Sequence, residues 1–213
     1  MTDLTCPAKS FDVYAGTIDD AHMQEMWDSG FRVVQHYYSR TPNKNLMAAG
    51  AKALTAQGFR LGVVWEANGN SAAAFSAIQG QQDAMAALAL AKAVGQPQES
   101  AIYFAVDFDP PSPGINQFIV PYFRAVCAVI RPAKYKVGAY GCGNVLKALF
   151  TTKLMDYDWL AGAAGWGGTG MYRSAFDPAN GRPAITQGLE GKVDGLDIDP
   201  DTVYREAGLF QVS

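Results

Sequence analysis

The stretch Ala101-Ile102-Tyr103-Phe104-Ala105-Val106-Asp107-Phe108-Asp109-Pro110 decides the fold that this sequence predicts. Its apolar part is typical of a strand that is buried on both faces, as in a parallel sheet covered by helices. It ends in two carboxylates two residues apart, and side chains at that spacing on a strand point to the same side. We therefore expect Asp107 and Asp109 to lie together at the carboxyl end of a core strand.

A carboxylate pair in such a place favours acid–base chemistry. Each carboxylate loses water and repels the other, so one of them should have a raised pKa. Carboxylates whose surroundings separate their pKa values carry out glycoside hydrolysis, in which one donates a proton while the other stays ionised. The structural alternative is that Asp109-Pro110 only ends the strand with a turn.

Strand patterns on either side of this stretch alternate with helical patterns. The eight predicted strands cover residues 11–14, 31–38, 59–66, 101–110, 135–141, 157–162, 183–187 and 193–199. Helical patterns follow the first five, including a long alanine-rich one from Asn70 to Val94 that should turn Ile78 and Met85 inward. After Phe150 the helices become minimal or missing.

This order of elements predicts an α/β fold with one domain over residues 1–213. Alternating strands and helices favour a parallel sheet, and eight strands in one domain favour a closed TIM-like (β/α) barrel whose helices are reduced or missing in the C-terminal half. Active sites of such barrels lie at the carboxyl ends of the strands. Five acidic residues fall at or near such ends: Asp12, Glu66, Asp107, Asp109 and Asp197.

Composition excludes several classes of function. The net charge of −3 gives no reason to expect nucleic-acid binding. No apolar run approaches the ~20 residues that span a bilayer, and the N-terminal residues lack the pattern of an export signal. Cys6, Cys127 and Cys142 are odd in number and widely spaced, which favours neither a disulfide framework nor a zinc site. We predict no membrane insertion, no metal and no cofactor.

The residues resemble a known family at this point. The chain is similar, over nearly its whole length, to the glycoside-hydrolase-like barrels related to glycoside hydrolase family 25 lysozymes, the muramidases that cut peptidoglycan. The resemblance lies in Phe11-Asp12, in residues 105–109 and in residues 194–199. It implies a barrel that loses helices in its second half, and hydrolysis of β-1,4 bonds.

The resemblance also implies roles for the acidic residues. Asp107 matches the first carboxylate of the family's Asp-x-Glu pair, Asp12 its first-strand Asp and Asp197 its last-strand Asp. Asp109 stands where those lysozymes have the Glu that donates the proton, and Asp is one methylene shorter. Either Asp109 or Glu66 would then be the general acid, with Asp107 stabilising or attacking the oxocarbenium centre, or the activity has been lost.

Sugar-binding residues can be proposed beside these carboxylates. Aromatic rings stack on the apolar face of a sugar, and Gln187 could donate a hydrogen bond into the mouth. The alternative role is core packing for the aromatic residues, least so for Trp166 in its glycine-rich loop, and a satisfied strand-end amide for Gln187. The proposed platforms are Tyr37, Trp65, Tyr140 and Trp166.

Three functions remain in competition on the sequence. They are an enzyme that acts on peptidoglycan or a related amino-sugar glycan, a barrel that binds glycan without turnover, and a metal-dependent hydrolase with Asp107, Asp109, Asp197 and Asp199 as oxygen ligands. For the enzyme, we expect synthesis in the cytoplasm and action on the cell wall after delivery by a route other than a signal peptide. An antibacterial effector, a phage lysin and a wall-remodelling enzyme all fit, and any delivery or immunity partner stays open.

Overall fold

The computed structural model describes residues 4–13, 18–175, 183–189, 191–193 and 196–213. Tyr14, Asp194 and Gly195, which belong to predicted strands, lie outside these residues. The strands are β1 Ala8–Asp12, β2 Phe31–Tyr38, β3 Arg60–Trp65, β4 Ala101–Ala105, β5 Lys136–Gly141, β6 Tyr157–Leu160, β7 Ile185–Gln187, β8 Gly191–Val193 and β9 Leu196–Val203. The helices are α1 Asp20–Asp28, α2 Ala48–Gln57, α3 Ala77–Val94, α4 Ser112–Gly114, α5 Val120–Ile130, α6 Gly143–Thr151 and α7 Thr169–Ala175.

Eight of the strands close into a barrel. Strands β1 to β7 pair in chain order, each parallel to the next, and β9 closes the ring by pairing with both β7 and β1. The short strand β8 forms a hairpin with β9 outside this ring. Between β6 and β9 the described residues contain one short helix, α7. The predicted barrel with helices reduced in its second half is confirmed.

The direction of the last strand differs from the prediction. It is antiparallel to both neighbours, and it starts at Leu196 where the sequence suggested residue 193. A parallel return requires a crossover connection, usually a helix, whereas the short segment between β7 and β9 reverses the chain instead. The start of β9 therefore lies beside the end of β1, with Asp199 opposite Asp12.

The two faces of the strands bury different cores. Alternate residues such as Leu61 and Phe104 face outward and pack with the helices in the larger core cluster. The other residues, including Val64 and Trp159, fill the barrel interior. Gly138 gives the interior space, because a Cβ atom there would collide with the Tyr103 ring. The barrel is thus filled below its mouth, and open space remains at the carboxyl ends of the parallel strands.

The long helix begins later than the sequence suggested. A 3₁₀ turn covers Ala72–Ala74, and Ser76 then caps α3 by accepting a hydrogen bond from the Gln79 backbone N–H. Ile78 and Met85 are 72% and 58% exposed, so the prediction that they turn inward is wrong. The buried face of α3 consists mainly of small residues, which allow α5 to approach closely. None of the described helices combines the length and apolar character that a bilayer span requires.

The contact between α3 and α5 gives a stability prediction. A Cβ atom on Gly80 would overlap the backbone carbonyl of Tyr122, which cannot rotate away as a side chain could. We expect Gly80→Ala to lower the free energy of unfolding in urea by about 1–3 kcal/mol. Gly170→Ala is the control, since open space surrounds that helical position. Equal stability of the two variants would contradict the prediction.

Candidate active site

A cleft of about 650 Å³ opens at the carboxyl ends of the parallel strands. Its walls come from nearly every strand of the barrel and include five carboxylates and one lysine. The charged lining residues are Asp12, Lys44, Glu66, Asp107, Asp197 and Asp199. Because β9 runs antiparallel, its first residues supply carboxylates at the same mouth to which β1 and β3 contribute at their ends.

Asp12 lies at the buried end of β1 and accepts hydrogen bonds from two side chains. The Tyr37 hydroxyl donates to its Oδ1 atom at 2.7 Å, and Gln187 Nε2 donates to its Oδ2 atom at 3.0 Å. The Gln187 amide is fixed in this orientation because its Oε1 atom accepts from the Tyr140 hydroxyl at 2.8 Å and from the Gly162 N–H. Gln187 thus connects Asp12 on β1 with Tyr140 on β5 across the floor of the cleft, and it lies in the mouth where the sequence placed it.

Burial controls the protonation of Asp12. Loss of hydration raises the pKa of this carboxyl to about 7, the negative charges of Asp199 and Glu66 act in the same direction, and the bonds from Tyr37 and Gln187 oppose them. Asp12 can therefore hold a proton in the neutral pH range.

This shift predicts how stability depends on pH. Because the Asp12 pKa is about 7 in the folded chain and ordinary in the unfolded one, the folded state keeps a proton that the unfolded state loses as pH rises above about 4. The contribution to stability is complete below pH 4 and is lost as pH rises through about 7. We expect the contribution of Asp12 to the free energy of unfolding to fall by on the order of 2–4 kcal/mol between pH 4 and 7.5.

Urea unfolding of the wild type and Asp12→Asn at several pH values measures this contribution. The variant should show a shallower fall, since the asparagine does not titrate. Parallel curves for the two proteins would contradict the assignment.

Asp107 stands at the mouth, beyond the end of β4. The chain leaves the sheet after Val106, whose N–H still donates to the Tyr140 carbonyl, and the Asp107 N–H donates instead to the Gly69 carbonyl at 2.8 Å. Desolvation by the cleft walls and the charge of Glu66 raise the pKa of the Asp107 carboxyl, and Lys44 partly offsets this. Asp107 and Glu66 thus face one cleft in different electrostatic surroundings.

Lys44 is a cleft residue that the sequence reading missed. It lies in a 3₁₀ turn, Pro42–Lys44, between β2 and α2, and is largely buried. Its ammonium donates to Glu66 Oε1 at 2.7 Å and lies 4.0 Å from the centre of the Tyr37 ring. This ion pair fixes the Glu66 carboxylate beside a cation in the wall of the cleft. Nothing in the local sequence distinguishes this lysine from one on the surface.

Three of the four predicted aromatic platforms line the cleft. Tyr37, Tyr140 and Trp166 contribute to its walls. Trp65 does not, and at 2% exposure it packs among the outward-facing core residues, with the Arg40 guanidinium 5.6 Å from its ring centre. The prediction that Trp65 is a sugar platform is wrong because successive strand residues face opposite sides, so a mouth-facing Glu66 turns Trp65 outward.

The predicted carboxylates occupy different depths. Asp12 lies on the floor, while Asp197 is exposed at the rim and pairs with Lys192 at 2.8 Å. Asp109 is absent from the cleft lining: β4 ends at Ala105, so strand alternation does not carry Asp109 to the side of Asp107. Its Oδ1 atom accepts instead from the Gly167 N–H at 3.0 Å. The expectation that Asp107 and Asp109 lie side by side in the mouth is therefore wrong.

Residues further along β9 complete the site. Asp199 faces the cleft, and its Oδ2 atom lies 3.4 Å from Gln187 Nε2. Asp201 is buried one step deeper and accepts from the Trp159 indole N–H at 2.9 Å; its burial raises its pKa well above the ordinary value. The sequence feature that indicates both residues is the aspartate at every second position from 197 to 201.

In the described part of the chain, no three His, Cys, Asp or Glu side chains are grouped to hold a metal ion.

A curated protein of Bacillus subtilis is similar in sequence to part of this chain. The chain is 28% identical over 124 residues to the uncharacterized protein FadG of Bacillus subtilis, a match that covers 55% of this chain and 22% of that protein. The chain thus spans less than a quarter of the length of this curated relative.

Solved structures with a similar fold cover most of the chain. The Tat-secreted protein Rv2525c of Mycobacterium tuberculosis superposes with a TM-score of 0.78 at 20% identity, covering 95% of this chain and 98% of that one. The autolysin LytC of Streptococcus pneumoniae, solved with a synthetic peptidoglycan ligand, gives 0.62 at 16% identity, covering 95% and 48%. A muramidase from Acremonium alcalophilum gives 0.57 at 14%, covering 94% and 95%.

A family model matches the larger part of the sequence. It is described as the Rv2525c-like, glycoside hydrolase-like domain, and it matches residues 24–203, from α1 to the end of β9. The resemblance to glycoside-hydrolase-like barrels is confirmed, and the chain belongs to the Rv2525c-like glycoside hydrolase-like domain family.

Proposed function

We propose that this domain hydrolyses β-1,4 glycosidic bonds in peptidoglycan or a related amino-sugar polymer. The observation that carries the proposal is the meeting of Asp12, Glu66 and Asp107 in one cleft with aromatic walls. Carboxylates in unequal surroundings and flat rings are the groups that glycoside hydrolysis uses. The muramidase and the peptidoglycan-bound autolysin of similar fold support this choice of substrate.

The charges around the cleft favour a particular division of roles. Asp107, whose pKa is raised, is the better proton donor to the glycosidic oxygen. Glu66, paired with the Lys44 ammonium, is the carboxylate that we assign to stabilise or attack the oxocarbenium centre. This reverses the assignment that the resemblance suggested for these two residues.

When the glycosidic bond breaks, the proton of Asp107 stays on the leaving oxygen, and water added at the sugar carbon returns a proton to Asp107.

The remaining polar groups support the two carboxylates. Asp12, fixed by Tyr37 and Gln187, holds a proton near the floor and can bind a sugar hydroxyl. Tyr140 and Trp166 supply walls for the apolar faces of the sugars.

A binding module without turnover is the second candidate. It is favoured by one observation: Asp109, which stands where the related lysozymes have their proton donor, lies outside the cleft lining. Such a domain would retain the aromatic walls and bind the same glycan.

The release of reducing ends and soluble fragments from purified cell wall tests the proposal. We expect wild-type protein to release both, and fragment analysis to show amino-sugar ends. Wall binding without release would favour the second candidate. If neither release nor binding occurs with peptidoglycan or chitin, the proposal is wrong.

We also propose that the domain acts at the cell wall, where this substrate is found. One protein of similar fold is secreted through Tat.

A further inference from the structure

Asp109 has a defined contact away from the cleft lining. Its Oδ1 atom accepts from the Gly167 N–H at 3.0 Å. Asp109 therefore connects the segment after β4 with the glycine-rich loop 165–168. An exposed carboxylate whose only task was to end a strand would not need this contact.

The glycine-rich loop is held on both sides at Gly167. Its N–H donates to Asp109, and its carbonyl accepts from the Asn144 N–H at 2.9 Å. Gly168 follows with φ +74°, a conformation that favours glycine, and it packs so closely on Asn144 that a Cβ atom would collide with that side chain. The two bonds at Gly167 thus fix the backbone at one point, from β4 and from α6.

Trp166 directly precedes this point and lines the cleft. It lies in a loop between β6 and α7, so strand pairing does not fix its position. Tyr37 and Tyr140, in contrast, belong to paired strands. Its own backbone makes turn bonds within the loop, to the Ala163 carbonyl and from the Thr169 N–H. The ring itself packs on the larger core cluster, and the bond from the Gly167 N–H to Asp109 ties the backbone of the adjacent residue to another segment of the chain.

We propose that Asp109 is a positioning residue that holds Trp166 in the wall of the cleft, so that it contributes to glycan binding and not to proton transfer. The proposal rests on the proposed function in that a glycan is the ligand. A loop that is already ordered loses less entropy when a sugar stacks on its aromatic ring. A hydrogen bond from a backbone N–H to a carboxylate is among the stronger ones, so its loss should matter although it lies on the surface.

A double-mutant cycle on Asp109 and Trp166 tests this role. The probe is chitotetraose, four β-1,4-linked N-acetylglucosamines, with binding measured by calorimetry and turnover measured on purified cell wall. We expect Asp109→Ala to weaken binding about 5–20-fold, Trp166→Ala at least as much, and the double variant no more than Trp166→Ala alone. The kcat of Asp109→Ala should stay within about threefold of wild type.

Two matched variants separate this role from others. Asp109→Asn keeps an acceptor for the Gly167 N–H and should bind within about threefold of wild type. Asp28→Ala removes an exposed carboxylate whose side-chain partner in the described part of the chain is Gln24, and it should change neither binding nor turnover. If Asp109→Ala lowers kcat 100-fold or more with binding unchanged, Asp109 is the proton donor and the proposal is wrong. Additive losses in the double variant would also overturn it.

Amide hydrogen exchange provides a readout that does not depend on any ligand. Exchange in the segment 163–168 should be faster in Asp109→Ala than in wild type, and close to wild type in Asp109→Asn. If wild-type protein neither binds nor cleaves glycan, the proposed function fails while this measurement still decides whether Asp109 orders the loop. Unchanged exchange in Asp109→Ala would refute the positioning role.

Discussion

Replacement of Asp107 by asparagine should lower glycan hydrolysis by about 10²–10⁴-fold while leaving glycan binding within a few-fold of wild type. Asparagine is nearly the same size but cannot donate an acidic proton to the glycosidic oxygen. Asp107 sits at the end of a segment that is fixed by the bond to Gly69, so the substitution should not disturb the fold. Turnover on purified cell wall, with kcat and KM determined separately, measures the effect.

Two further substitutions show whether the loss is specific to this position. Glu66→Gln should be similarly inactive, because it removes the charge that the proposed mechanism places beside the oxocarbenium centre. Asp197→Asn should lose less than about tenfold, since Asp197 is exposed at the rim and paired with Lys192. Comparable losses in Asp197→Asn and Asp107→Asn would mean that general acidity of the cleft, and not a proton donor at Asp107, supports turnover.

Replacement of Asp158 by alanine should lower the free energy of unfolding by about 3–5 kcal/mol. This buried carboxylate of β6 accepts three hydrogen bonds of 2.9 Å, from the Ala184 N–H, the Arg205 guanidinium and the Tyr172 hydroxyl. It therefore ties β6 to α7, to the start of β7 and to the segment that follows β9. Its removal leaves several donors without their acceptor in a region that water reaches poorly.

Urea unfolding measures this cost, and the chain offers a matched control. Asp197→Ala breaks an ion pair whose two side chains are 68% and 79% exposed, and it should cost no more than about 1 kcal/mol. Asp158→Asn retains an acceptor and should recover part of the loss. A change below about 1 kcal/mol for Asp158→Ala would show that the rest of the barrel, and not this carboxylate, holds the second half together.

Much of the barrel could be read from the sequence because its signal is periodic. Apolar strands alternate with amphipathic helices up to Phe150, and this rhythm indicates a parallel, helix-covered sheet. The direction of the last strand could not be read, because the side-chain alternation of residues 197–201 is the same for either direction. Only the short connection after Gln187 carries that information, and length alone does not fix the path of the chain.

The candidate site was predictable where residues end a strand, and less so elsewhere. Asp12, Glu66 and Gln187 were found because strand ends converge at a barrel mouth. Asp109 was misplaced because the end of β4 is set by where the backbone turns to bond Gly69, which the residue types do not reveal. Lys44 could not be found, since its role depends on a contact with a residue 22 positions away.

The antiparallel β9 has a consequence for how this protein is made. Until residues 196–203 leave the ribosome, β1 and β7 each have one edge whose backbone N–H and C=O groups are not paired with a neighbouring strand. Open edges of this kind recruit other strands, so a nascent or truncated chain lacking β9 should aggregate or depend on chaperones. Pairing of β9 removes both edges in a single step, and the soluble yield of fragments ending before and after residue 203 would reveal that dependence.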